Sequence, residues 1–172
     1  MSFVVKILLF SFVFASIPLE TVYENAPSRA GFDKYLELDP SEIYTGSLHF
    51  AREVTAIVSN GAVIDLQGGD GFTADGYGTE ILFDGVTVTN YPNDEGIYIS
   101  DGAHVTIQNC NFVNGKTGIS IWNYALVEII NCNIGNHTVR GLERSEIGPT
   151  TYAKYVNTWA NVEGDWKQNC LT

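Results

Sequence analysis

A chain of 172 residues with 45% hydrophobic content is long enough for one domain with its own core and too apolar to be a disordered tail. Twenty acidic against nine basic side chains leave a formal charge of −11 and a pI near 4.5. That excludes nucleic acid as a partner, because phosphates need a basic surface, and it weighs against tight non-specific binding to anionic polysaccharide.

Residues 1–15 read as a secretion signal. Lys6 precedes the apolar run Ile7–Phe14, and Val13-Phe14-Ala15 offers a cleavage site after Ala15. The run is too short for a membrane span and Pro18 breaks it, so no span is expected after its removal. Residues 16–34 are expected to form a leader or cap. Leu38–Gly46 and Ala62–Leu66 hold short apolar segments, and Gly68–Gly78 is an irregular glycine-rich turn with no legible register.

From Ile81 the chain repeats itself. Ile81, Phe83, Val86 and Val88 align with Val105, Ile107, Cys110 and Phe112, then with Val127, Ile129, Cys132 and Ile134, at steps of 24 and 22 residues. A second block keeps phase, Gly96-Ile97-Tyr98-Ile99 over Gly118-Ile119-Ser120-Ile121. Steps of this size mark a solenoid, whose units bury their apolar faces only against neighbours. Apolar and polar residues alternate at period two, so each block is a short strand. The middle repeat holds three: a first strand at 97–99, a second at 105–107 and a third at 110–112. The expected fold is therefore all-β, a parallel β-helix of three short strands per rung spanning 35–144. A leucine-rich repeat of similar length would need a leucine-and-asparagine pattern with a helical return leg, which is absent.

The bend between second and third strands is two residues long in every copy: Asp84-Gly85, Gln108-Asn109 and Ile130-Asn131. Asn tolerates the left-handed backbone of a tight bend, and stacked amides can bond along the axis. Here the chain resembles the right-handed parallel β-helix proteins of the pectate lyase and polygalacturonase superfamily, which carry an asparagine ladder at this bend. Leu38–Gly46 and Ala62–Leu66 look like opening rungs of its secreted members. One such fold hosts many activities.

Cys110 and Cys132 share the inward column of Val86, and parallel side chains on neighbouring rungs favour a thiol ladder over a disulfide. Cys170 has no evident partner. Asn136-His137-Thr138 fits the N-glycosylation pattern. Gly141 keeps the phase of Gly118, but Arg144 falls where Ile99 and Ile121 stood. Two or three clean rungs are few for a stable solenoid. Residues 145–172 are expected to be irregular. They either cap the open end or lead to rungs beyond Thr172, the C-terminus then being incomplete.

In the resembled superfamily polysaccharide runs along the first-strand face. Transferred here, the resemblance implies outward ligand-binding residues Tyr98, Ser120 and Glu143, with Asp94, Glu95, Lys116, Trp122, Tyr124, His137 and Arg140 on adjoining turns. The Asn-Thr-Asp, Asp-Asp, Gly-His-Gly and Arg-Ile-Lys motifs of polygalacturonases are absent, as is a column of aspartates for the calcium of a lyase. His49, His104 and His137 match no metal-ligand spacing. No catalytic residue is assigned, no metal site is expected, and calcium enters as a cofactor only if the chain is a lyase. The expected function is a secreted, extracellular or cell-surface, non-catalytic scaffold that binds polysaccharide or another glycan. The alternative is a polysaccharide lyase or glycoside hydrolase, whole or fragmentary, and a third expectation is end-to-end association through an open rung.

Overall fold

A computed structural model describes residues 16–145 and 148–165. The expected signal at 1–15 and Cys170 lie outside the described residues. The expected parallel β-helix is present. Second strands at 34–37, 54–58, 80–84, 104–108, 126–130 and 150–154 form a six-stranded parallel sheet, and first and third strands together form a ten-stranded one. Counted by the second strand, the described residues make six rungs. The repeat predicts the register residue for residue: Val105 pairs with Ile81 below and Val127 above.

In the two central rungs the third strand and the following first strand run together, as Thr87–Ser100 and Asn111–Ile121. A register shift between Gly115 and Thr117 supplies the bend within them. Such a bulge turns a strand without ending its pairing.

The core is a stack of inward columns. Phe50, Phe72, Phe83 and Phe112 are fully buried or nearly so and meet ring to ring, Phe83 lying 5.1 Å from Phe72 and 6.5 Å from Phe112 between centroids. At the N-terminal end Ile17–Pro18 pairs with Tyr44 and Thr45, and the helix Leu19–Glu24 buries Leu19 against the first rung. Cys110 and Cys132 are buried free thiols, as the shared inward column predicts. Burial pushes the Cys110 thiol up to about 12, so it is inert at neutral pH.

The segment 145–172, expected to be irregular, is instead a sixth rung over its described residues. Thr150–Lys154 pairs with Leu126–Ile130 and Asn157–Trp159 with Asn133–Gly135. Its inward positions are Thr151 and Ala153 where the rung below has Val127 and Ile129, which is why the alternation fades. Gly68–Gly78 likewise contains a first strand, Phe72–Asp75, in register with Ile97–Ser100. Gly71 has no alternative there, because a Cβ would sit 1.7 Å from the Glu95 carbonyl oxygen.

The asparagine ladder is present. Asn131 Nδ2 donates to Asn109 Oδ1 at 2.8 Å, and Asn109 Nδ2 donates to Asp84 Oδ1 at 2.7 Å. Gly85, Asn109 and Asn131 all have φ between 54° and 72°. Further ladders occupy other columns: Asn133 donates to Asn111 and Asn136 to Asn114. Asn109→Ala is expected to cost about 2 kcal/mol, by losing both ladder bonds and straining the left-handed bend. Asn109→Gly, which relieves the bend, should cost about half as much. Chemical denaturation of the two variants measures the difference, and equal losses would remove the bend from the explanation.

Candidate functional site

The first-strand face is built by alternation and register. Ile97 and Ile99, like Ile119 and Ile121, turn into the core, leaving the residue between them on the outside. Pairing then stacks Thr73, Tyr98, Ser120 and Glu143 in one column. Where the chain enters these strands, Glu95, Thr117 and Arg140 stack in a second. Of the residues chosen from the sequence, the columns bring together Tyr98, Ser120, Glu143, Glu95 and Arg140, but not all are accessible. Ser120, expected to face solvent, is 1% exposed, as is Thr117. Each is a small side chain between longer ones on rungs about 4.8 Å away, so both form the floor of the face.

The charges are paired across this floor. Arg140 Nη1 lies 3.4 Å from Glu143 Oε1, and its Nη2 3.2 Å from Glu163 Oε2. Asp94 and Glu95 are hydrogen-bonded to each other. Burial, reinforced by the hydrogen bond to Asp94, pushes Glu95 up to about 7. That same bond, the Gly71 N–H donating at 3.1 Å and the nearby Lys116 ammonium hold Asp94 below the usual carboxylate range.

At the far edge of the face, Trp122 is half-buried and its indole N–H is enclosed without a hydrogen-bond partner among the described residues. Tyr124, two residues on, is 65% exposed. His137, expected on a surface turn, is instead 1% exposed. Its Nδ1–H donates to Asn161 Oδ1 at 2.7 Å, and Tyr91 Oη–H donates to its Nε2 at 2.8 Å. Asn161 Nδ2 donates to Asp165 Oδ1 at 2.7 Å, which fixes the amide orientation and hence the imidazole tautomer. Burial lowers the His137 pKa against the opposing pull of Asn161.

A family model described as right handed beta helix region matches residues 52–158. The chain belongs to the right-handed β-helix family. No curated protein and no solved structure matches it.

What this β-helix protein holds beyond the sequence reading is the interior hydrogen-bonded relay Tyr91–His137–Asn161–Asp165, a relay of contacts only, and one further aromatic. Tyr77, inside the glycine-rich stretch, is 73% exposed on the corner below Asp101–Ala103. The relay had one sequence signal. Gly115 interrupts a strand opposite Tyr91, and a Cβ there would lie 1.8 Å from the Tyr91 ring. Among the described residues, no group of three or more His, Cys, Asp or Glu could hold a metal ion.

Proposed function

We propose that this β-helix protein is a secreted scaffold, extracellular or on the cell surface, that binds carbohydrate along its first-strand face without cleaving it. The observation that carries the reading is the register, which stacks Tyr98 and, two rungs on, Glu143 in one column over the Ser120 floor, with Arg140 in the neighbouring column, Lys116 on the intervening rung and Tyr124 at the edge. Aromatic surface next to fixed polar groups suits sugar rings, whose faces stack and whose hydroxyls bond at the edges. Secretion is supported by Lys6 and the apolar run Ile7–Phe14. No helix among the described residues is long and apolar enough to cross a membrane. The test is affinity electrophoresis against a panel of neutral and acidic polysaccharides. Tyr98→Ala and Arg140→Ala are each expected to weaken retention about tenfold, the scale of one lost stacking or charged contact. Retention unchanged in both variants would move the site elsewhere.

One observation favours cleavage as a second reading: the hydrogen-bonded pair Asp94 and Glu95 near Tyr98, with Glu95 pushed up to about 7, near the pH at which a general acid works. New reducing or unsaturated chain ends on any polysaccharide, reduced about 100-fold by Glu95→Gln, would establish it over the scaffold.

A further inference from the structure

The corners that follow the first strands stack on one another: 76–79, 101–103, 122–125 and the turn at Gly148. Gly102 N–H donates to the Asn123 carbonyl at 3.0 Å, and His104 N–H to the Thr79 carbonyl at 2.9 Å, which holds the corners in line. Two large aromatic side chains stand out from this line, Tyr77 at 73% and Tyr124 at 65% exposure. Each rests on a glycine of the next corner. A Cβ on Gly102 would come within 2.5 Å of the Tyr77 ring, and one on Gly148 within 3.0 Å of the Tyr124 ring. Each ring therefore lies close against backbone that a larger residue would push away.

The backbone beneath Tyr124 is unusual. Tyr124 occupies the position that Gly102 fills one rung below, and both have positive φ, 63° and 84°. Asn123 before it also has φ of 41°. A bulky side chain is costly in this conformation, and a glycine would relieve it. Strain of this sort accompanies sites where a side chain must be presented in one direction. Between the two tyrosines, Asn123 Nδ2 donates to Asp101 Oδ1 at 3.1 Å, an exposed amide and carboxylate with further donor and acceptor capacity. The tyrosines belong to corners two rungs apart, about 10 Å along the axis at the ordinary strand spacing. That span fits a disaccharide rather than a single ring.

Charge narrows the ligand. No Lys or Arg occurs between Arg52 and Lys116, nor between Lys116 and Arg140, so these corners have no cation of their own, while Asp101 and Glu80 are exposed. A uronic-acid chain would meet these carboxylates along the middle of the strip, with the exposed Arg52 one corner below Tyr77, at the end of the strip.

We propose that this corner is a binding strip for a neutral polysaccharide chain, with Tyr77 and Tyr124 as two stacking platforms and the Asp101–Asn123 pair bonding hydroxyls between them. The inference rests on the carbohydrate-binding reading and extends it past the edge of the first-strand face, at Tyr124, onto the corner beside it, naming the ligand class.

The full chain is titrated by calorimetry with neutral hexaoses of glucose, mannose and xylose and with an oligogalacturonate. One neutral hexaose is expected to bind. Tyr77→Ala and Tyr124→Ala should each weaken it about tenfold, the value of a lost aromatic contact, while Tyr77→Trp retains it. Both alanine variants change exposed side chains, and an unaltered circular dichroism spectrum excludes misfolding as the cause. Binding that survives both alanine substitutions but is lost in Tyr98→Ala overturns the strip and leaves the first-strand face as the site. Tighter binding of oligogalacturonate overturns the ligand class. Binding of none of the four overturns the strip and the carbohydrate reading together.

Discussion

Phe83→Ala is expected to destabilise the protein by about 4 kcal/mol, the cost of truncating a fully buried phenylalanine whose surroundings cannot collapse. Phe83 has no exposed surface and meets Phe50, Phe72 and Phe112 on its own and adjoining rungs. Each of those rings is held in turn by parallel strands whose spacing is set by backbone hydrogen bonds. The rungs cannot close up along the axis without breaking these bonds, so the cavity stays open. Phe83→Leu, which refills most of the volume, should cost about 1.5 kcal/mol. Urea denaturation of both variants checks this. A loss below about 1 kcal/mol for the alanine would mean that the aromatic stack repacks freely and does not anchor the middle of the solenoid.

His137→Ala is expected to cost about 3 kcal/mol, from the orphaned Tyr91 hydroxyl and the space left by the imidazole. The same residue makes stability depend on pH. Its folded pKa lies below the ordinary value of 6.5, so the unfolded chain binds the proton first. Its contribution is complete above 6.5 and is lost as pH falls through the folded value. Glu95 acts in the opposite sense. Its pKa rises from 4.5 to about 7, so its contribution is complete below 4.5 and disappears as pH rises through 7. The two slopes oppose one another between pH 4.5 and 6.5, and the wild-type stability curve is expected to be shallow there. Glu95→Gln removes one slope and should leave stability falling steadily on acidification. His137→Ala removes the other and should leave it falling as the medium becomes neutral. A Glu95→Gln profile as flat as wild type would contradict a neutral buried imidazole.

The middle of the fold was legible because its inward positions are large and apolar. Val105, Ile107 and Phe112 and their counterparts repeat at a step that the strand register then reproduces. Legibility fails in two places for different reasons. Thr151 and Ala153 replace branched aliphatic residues in the sixth rung, whereas Phe72–Asp75 keeps a buried phenylalanine but is flanked by glycines that serve tight corners and close backbone approach rather than flexibility. The face of the site followed from alternation, since Tyr98, Ser120 and Glu143 must share a column once the isoleucines point inward. Accessibility did not follow, because it depends on the length of the neighbours one rung away, and Ser120 lies between two longer ones. His137 was misplaced because a turn residue at a wide corner can point inward as readily as outward. Its partners, Tyr91 and Asn161, are 46 and 24 residues distant.

In a stack where each rung touches only the next, energetic coupling decays rung by rung, and any part can open nearly independently of a distant part. The Tyr91 ring breaks that rule. It leaves the third rung, passes over the space that Gly115 keeps free in the fourth, and bonds His137 in the fifth, which holds Asn161 in the sixth. Four consecutive rungs are thereby bolted through the interior by contacts that run along the axis rather than around it. The last four of the six described rungs are tied into a single cooperative block, so a disturbance at Asn161 is felt at Tyr91 without first dismantling the strands between them.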